Sequence, residues 1–347
     1  MSLWVGTYEK NGGGGLYPVW IRESRLEVGD PEPNVVNASF GLWNERHQLA
    51  YFVEEQDAGL ITAWRHRKGH WSPVAAAGSG GSMPCYLDLH PTSGLLAVAN
   101  YADGVVGLVR LDEASGAIRE VVDMACPTGR GFDPHRQQGP HAHCVRFSED
   151  GSVLYHVDLG LDRIMAYPIL DDRLGNPELA FVAPPGSGPR HLLLHPDRQR
   201  AVLICELSAE LHLLERRGAA FASCARVPTS SHVPDGKNLG GHLALLSGQS
   251  LVAATNRGHD DLSLFELGQV TLQEIRSIPT HGRSPRHFWS DGDRAIVANE
   301  ESGDVTLIGL GHGGGVISQV NIPGACFVFK LPDASKIAED AKSETHA

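Results

Sequence analysis

The chain has 347 residues, 41% of them hydrophobic, and a formal net charge of −12. That acidic balance disfavours nucleic acid and anionic membrane surfaces as partners, and no apolar run reaches the roughly 18 residues of a membrane span. With 40 glycines and 21 prolines, the composition suits many short elements joined by tight turns and argues against long helices.

The N-terminal MSLWVGTYEK contains a short strand, LWVGT, and lacks the basic-then-apolar pattern of a signal peptide. GGGG at 12–15 runs into the strand-like LYPVW; with no following helix and no P-loop lysine it reads as a hairpin turn. SFGLWNERHQLAYFVEE (39–55) introduces a pattern of strand, turn, then a second strand closing on a polar residue. It returns as PCYLDLHPTSGLLAVANY (84–101), HAHCVRFSEDGSVLYHVDL (141–159), PRHLLLHPDRQRAVLICEL (189–207), GHLALLSGQSLVAATNR (241–257) and PRHFWSDGDRAIVANE (285–300).

The closing residues are Glu54, Asn100, Asp158, Glu206, Asn256 and Asn299, at gaps of 46, 58, 48, 50 and 43, with Thr7 standing 47 before Glu54. Two further β-like runs follow each one, such as VVGLVRLD and IREVVDMA after Asn100. Four strands at a period near 48, seven times over, predict an all-β, seven-bladed β-propeller with four-stranded blades. The Trp-Asp and Gly-His signatures of the commonest scaffold propellers are missing at the expected positions. Near the C-terminus, IPGACFVFKLP (322–332) repeats the innermost strand that LWVGT lacks. The C-terminal strand is therefore expected to close the first blade and seal its edge. Residues 1–332 then form the propeller and 333–347 a polar tail. A closed propeller needs no partner, so a monomer or weak homo-oligomer is expected. Cys85, Cys144, Cys205 and Cys326 fall at or inside strand-like runs and read as buried thiols in a reducing, cytoplasmic setting.

Strand polarity gathers the unusual residues. With antiparallel strands a to d running outward from the channel, the start of a, the end of b and the blade-to-blade loops share one rim. There lie His141, His143, Arg190, His191, His242, Arg286 and His287 at strand starts, and Asp158, Glu206, Asn256 and Arg257 at strand ends. The loop 126–139 adds Arg130, His135 and Arg136; the loop 226–241 adds His232 and Lys237. His143 and Arg190 occupy the same slot of adjacent blades, and Glu206 closes the hairpin that Arg190 opens. A carboxylate, an imidazole and several arginines at one mouth suit acid–base chemistry on an anionic small molecule. The closing asparagines read as structural, satisfying loop amides. Glu206, ending the apolar AVLIC, needs a partner or a raised pKa. His141-Ala-His143 would put both rings on one strand face, yet a lone pair beside arginines carries no metal site. No Gly-x-Ser-x-Gly elbow is present, and no cofactor is expected.

The stretches GSGPRHLLLHPD, PHAHCVRFSEDGSVLYHVDLGLDRI, ATNRGHDDLSLF and SPRHF, with WVGTY, resemble the propeller-type lactonases: the 6-phosphogluconolactonases related to the fungal carboxymuconate lactonizing enzymes. The resemblance implies a metal-independent enzyme acting on a lactone ring. It assigns the catalytic histidine to His143, the glutamate to Glu206 and the substrate arginines to Arg190 and Arg257. Hydrolysis of a sugar-acid lactone, 6-phosphogluconolactone first, is the expectation: Glu206 or His143 as base, Arg190 on the oxyanion, and His141, Arg257, Arg286, His287, Arg136 and His191 around the substrate. Two alternatives stand beside it. One is a lactonizing cycloisomerase acting on a carboxymuconate-like dicarboxylate; the other is a propeller that binds without turnover.

Overall fold

The computed structural model describes residues 2–231, 236–246 and 248–332; the expected tail at 333–347 and His232 lie outside the described residues. Seven antiparallel sheets form the blades. Blade 1 runs outward in the order Ala325–Lys330, Ser2–Thr7, Tyr17–Arg22, Arg25–Val28, so the C-terminal strand does supply its innermost member. Trp4 pairs with Phe329 and Val5 with Val328 across that seam. Leu3, Val5 and Val328 of blade 1 share one apolar cluster with Ile296, Val305 and Leu307 of blade 7, which closes the ring by side-chain packing. Blades 2 to 7 follow the expected chain order from strands a to d.

Burial falls off outward along each blade. Leu95–Asn100, the second strand of blade 3, is buried at every position, whereas the outermost, Ile118–Ala125, is largely solvated. Inner strands face a neighbouring blade on both sides, which explains why they read as unbroken apolar runs rather than alternations. Tyr51 and Val53 of blade 2 meeting Leu96, Val98 and Val109 of blade 3 illustrate these joints. The six cysteines are free thiols, with Cys85, Cys144, Cys205 and Cys326 buried and Cys126 exposed. Among the described residues no helix is long and apolar enough to cross a membrane.

Blade 4 departs from four strands. Its third strand, Arg163–Leu170, pairs with Glu178–Val182 along one half and with Arg173–Leu174 along the other. The left-handed Asp171 and Asp172 make the tight turn into Arg173–Leu174, and residues 175–177 separate that short piece from Glu178–Val182.

The strand starts carry the feature that builds the site. Every inner strand except that of blade 2 shifts register at its first residues. In blade 5, Pro189 pairs with Cys205 but His191 with Ile204, which leaves Arg190 as the extra residue of a β-bulge. The same shift falls at Cys85, His143, Arg286 and Cys326. A bulge re-aims its extra residue and ends regular pairing. Proline suits the first position because it lacks the N–H that a ladder would use. The chain enters through a left-handed residue at Met83, Gly188 and Ser284; only the glycine adopts that conformation without steric cost.

Candidate active site

Glu206 stands at the centre of the charged cluster. Its backbone N–H donates to the Gly188 carbonyl at 2.7 Å and its own carbonyl accepts from Gly240 N–H at 3.0 Å, so both neighbouring strand entries hold it. One carboxylate oxygen accepts from Arg136 Nη2 at 2.5 Å; the other accepts from Arg190 Nη1 at 3.0 Å and lies 2.7 Å from Arg257 Nη2. His143 Nε2 is 3.9 Å from that second oxygen and in hydrogen-bond contact with Arg190 Nη1. The side chains of Glu206, Arg190 and His143 are at most 5% exposed.

The electrostatics follow from that packing. Burial pushes the Glu206 carboxyl up, but Arg257, Arg190, His143 and Arg136 outweigh it and hold the group well below the usual carboxylate range. The sequence-based alternatives for Glu206 thus resolve to a partnered carboxylate. Burial, then the Arg190 charge, pushes His143 well below the ordinary imidazole value, so the ring is neutral at pH 7. Burial and Arg257 bring Arg190 down to about 10, which leaves it protonated. Three guanidinium charges against one carboxylate give the mouth two positive charges in excess.

Arg136 arrives on the loop 126–139, whose shape is set internally. Asp133 Oδ1 accepts from the N–H groups of His135 and Arg136 at 2.8 and 3.0 Å. Gln137, 1% exposed, donates to Leu159 O and Asp162 Oδ1, and its side-chain oxygen accepts from the N–H groups of Phe132 and Asp133. Tyr101 Oη lies 3.2 Å from Arg136 Nη2, and its ring stacks on His141 at 4.7 Å. His141 is therefore part of the wall behind Arg136. The bulge at His143 breaks the two-residue period, so His141 and His143 do not repeat along a regular strand as their spacing suggested.

The remaining expected residues line the channel beside this cluster: His191, Arg286 and His287 border one small cavity with His143 and Arg190, and the His191 ring lies 5.3 Å from that of His143. His191 Nδ1 is 3.1 Å from His242 Nδ1, and the His242 ring stacks on His287 at 3.9 Å. Burial pushes all three imidazoles down, His242 to about 3. They form a neutral channel wall with Phe40, Tyr86 and Phe327. Arg286 is held by Glu55 at 3.6 Å and Glu300 at 3.4 Å, apart from Glu206. Among the described residues no group of three or more His, Cys, Asp or Glu side chains could hold a metal ion.

Strand pairing sorts the rim residues by face. Pro84 pairs with Asn100, Ala142 with Asp158, Gly240 with Asn256 and Pro285 with Asn299, but Pro189 pairs with Cys205. Glu206 thus belongs one position beyond the closing residues with which its spacing had grouped it. Its equivalents are Tyr8, Glu55, Tyr101, Leu159, Arg257 and Glu300. The closing asparagines point the other way and are structural: Asn100 donates to Ser79 O and Val105 O, and Asn256 to Thr229 O and Asp261. A one-residue step reverses the face of an extended chain, so the position after the closing residue supplies the mouth. Sequence inspection passed over Tyr8, Glu55, Tyr101 and Glu300, although each follows a recognised closing residue directly.

The sequence matches the family model described as "Lactonase, 7-bladed beta-propeller" over residues 2–324. The chain belongs to this lactonase family. A family relative named 6-phosphogluconolactonase, from Bacillus subtilis (strain 168), is 29% identical over 317 residues, spanning 88% of this chain and 89% of the relative. The crystal structure of a protein from Lactobacillus plantarum superposes with a TM-score of 0.87 at 25% identity, over 96% of this chain and 100% of the other. A periplasmic gluconolactonase from Pseudomonas aeruginosa shares the fold, with a TM-score of 0.86 at 24% identity over 95% of this chain and 99% of the other.

Proposed function

We propose that this lactonase-family protein hydrolyses a sugar-acid lactone, 6-phosphogluconolactone to 6-phosphogluconate, as a step of the pentose phosphate pathway in the cytoplasm. One observation carries the reading: a buried Glu206 bridged to Arg136, Arg190 and Arg257 beside a neutral His143. Two excess positive charges in a recessed mouth complement a substrate carrying a phosphate dianion, through forked guanidinium contacts. The name of the Bacillus subtilis relative supports the substrate. Free thiols, Cys126 among them exposed, support the reducing compartment.

In this mechanism water attacks the lactone carbonyl while His143 Nε2 accepts its proton. Both oxygens of the ionised Glu206 are already engaged by guanidinia, so in this reading it is not the group that takes the proton. It steadies the imidazolium that forms 3.9 Å away. Arg190 turns a donor to the developing oxyanion, an interaction typically worth about 3–4 kcal/mol. Collapse of the adduct breaks the acyl–oxygen bond, and His143 returns the proton to the departing ring oxygen. The product is an open hydroxy acid, whose carboxyl then ionises and releases one proton. Arg136 and Arg257 hold the anionic end.

The test is proton release from freshly generated 6-phosphogluconolactone, gluconolactone and a muconolactone, above the spontaneous rate. Acceleration on the phosphorylated lactone that is lost in Glu206→Gln supports the reading. Acceleration of gluconolactone alone keeps the chemistry and moves the substrate. No acceleration of any lactone overturns the reading in favour of the cycloisomerase or a binding role.

A further inference from the structure

Blade 7 repeats the charged pair of blade 5. Arg286 occupies the same bulge position as Arg190, and Glu300 the same post-strand position as Glu206. Both pairs open on one rim, and Arg257 shares with Arg286 and Glu300 a cavity of about 510 Å³ that Lys237 and Ser284 also line. The chemistry of the two pairs differs in sign. Around Glu206 three arginines face one carboxylate. Around Arg286 two carboxylates face one guanidinium: Glu55 at 3.6 Å and Glu300 at 3.4 Å, with Tyr8 Oη donating to Glu55 at 2.6 Å and the Tyr8 ring 5.3 Å from the guanidinium carbon.

The blade 7 pair is loosely satisfied. Both ion-pair distances exceed those from the three arginines to Glu206, and among the described residues no hydrogen bond reaches Oε1 of Glu300. Glu300 thus offers an open acceptor at the cavity wall, with Arg286 beside it as a donor. A carboxylate next to a guanidinium is poorly suited to a second anion, since Glu300 and Glu55 already exceed the charge of Arg286. It suits a neutral group that donates and accepts at once. A pair of vicinal hydroxyls does both: one O–H donates to Glu300 and the neighbouring oxygen accepts from Arg286.

We propose that Arg286 and Glu300 form a hydroxyl-reading subsite, with Glu55 and Tyr8 positioning the guanidinium. It rests on the lactonase reading and gives that reading a direction. The lactone carbonyl and anionic end lie toward Arg190, Arg257 and Arg136, and the ring hydroxyls lie toward blade 7. The substrate class is therefore polyhydroxylated, and a lactone without hydroxyls lacks partners at half of the cavity.

The experiment compares kcat/KM for gluconolactone with that for δ-valerolactone, which has the ring and no hydroxyls, in wild type and Glu300→Gln. Loss of one charge-assisted hydrogen bond predicts a fall of about tenfold or more in the gluconolactone-to-valerolactone ratio. Glu300→Asp, with the same charge drawn back by one methylene, should give an intermediate ratio, and a thermal midpoint checks that both variants fold. An unchanged ratio, or an equal fall on both lactones, overturns the subsite while leaving the lactonase reading intact. A wild-type protein that accelerates neither lactone nor the phosphorylated one overturns both.

Discussion

Acid should unfold this propeller well above the pH at which carboxylates protonate, because the fold buries neutral imidazoles. The histidines pushed below the ordinary imidazole value include His143, His156, His191 and His287, all buried, and the partly buried His242, with His156 and His242 brought to about 3. The unfolded chain binds a proton on each near pH 6.5 and the folded chain does not, so stability is lost as pH falls below 6.5. One pH unit below that value each ring costs about 1.4 kcal/mol, so five cost about 7 kcal/mol at pH 5.5. Asp158, raised to about 6 by burial, works in the opposite sense and returns about 1 kcal/mol over the same interval. The net loss of about 6 kcal/mol is comparable to the whole stability of a typical domain. Urea unfolding at pH 7.5 and pH 5.5 measures it, and His156→Leu, which removes one titrating ring, should reduce the difference by about 1.4 kcal/mol. A difference below about 2 kcal/mol would refute the reasoning, since the rings would then be taking up protons inside the fold.

Other consequences follow from the site. Glu206→Gln leaves Arg190 buried without its counter-charge and should lower stability by about 3–5 kcal/mol, read from the urea midpoint, together with at least a hundredfold loss of lactone turnover. His143→Gln should lower kcat by about a hundredfold to ten-thousandfold with KM changed little; a wild-type kcat would remove His143 from the proton path. Arg136 is one-third exposed, so Arg136→Ala should change stability by under about 1 kcal/mol while raising KM severalfold in steady-state assays. Deleting residues 322–347 removes Phe327, Val328 and Phe329, each worth about 1.5–3 kcal/mol of burial, and opens the edge of blade 1. The truncated chain should fail to give a cooperative thermal transition.

Much of this architecture was legible in the sequence because a propeller is periodic. Each blade solves the same packing problem, so apolar strands and turn residues return near every 48 residues, and the unpaired IPGACFVFKLP announces the closing strand. Polarity alone placed His143, Arg190, Glu206 and Arg257 on one rim. What stayed hidden was the single-residue register. Glu206 looked like a relative of Asn100 and Asn256, yet pairing puts Cys205 in that slot, and one residue reverses the face. Nor does spacing disclose a bulge, which turns Arg190 and Arg286 toward the channel mouth. The split outer strand of blade 4 escaped notice for the same reason: a tight turn leaves the period almost unchanged.

The sequence by itself determined the repeat, the number of blades and the rim that carries charge. Only the tertiary structure decided which charges meet. Three arginines from three separate stretches converge on Glu206, whereas Arg286, written with the same Pro-Arg-His as Arg190, is taken up by Glu55 and Glu300. The reason is physical: a side chain's charge state is set by what faces it across a few ångströms, and those neighbours come from other blades.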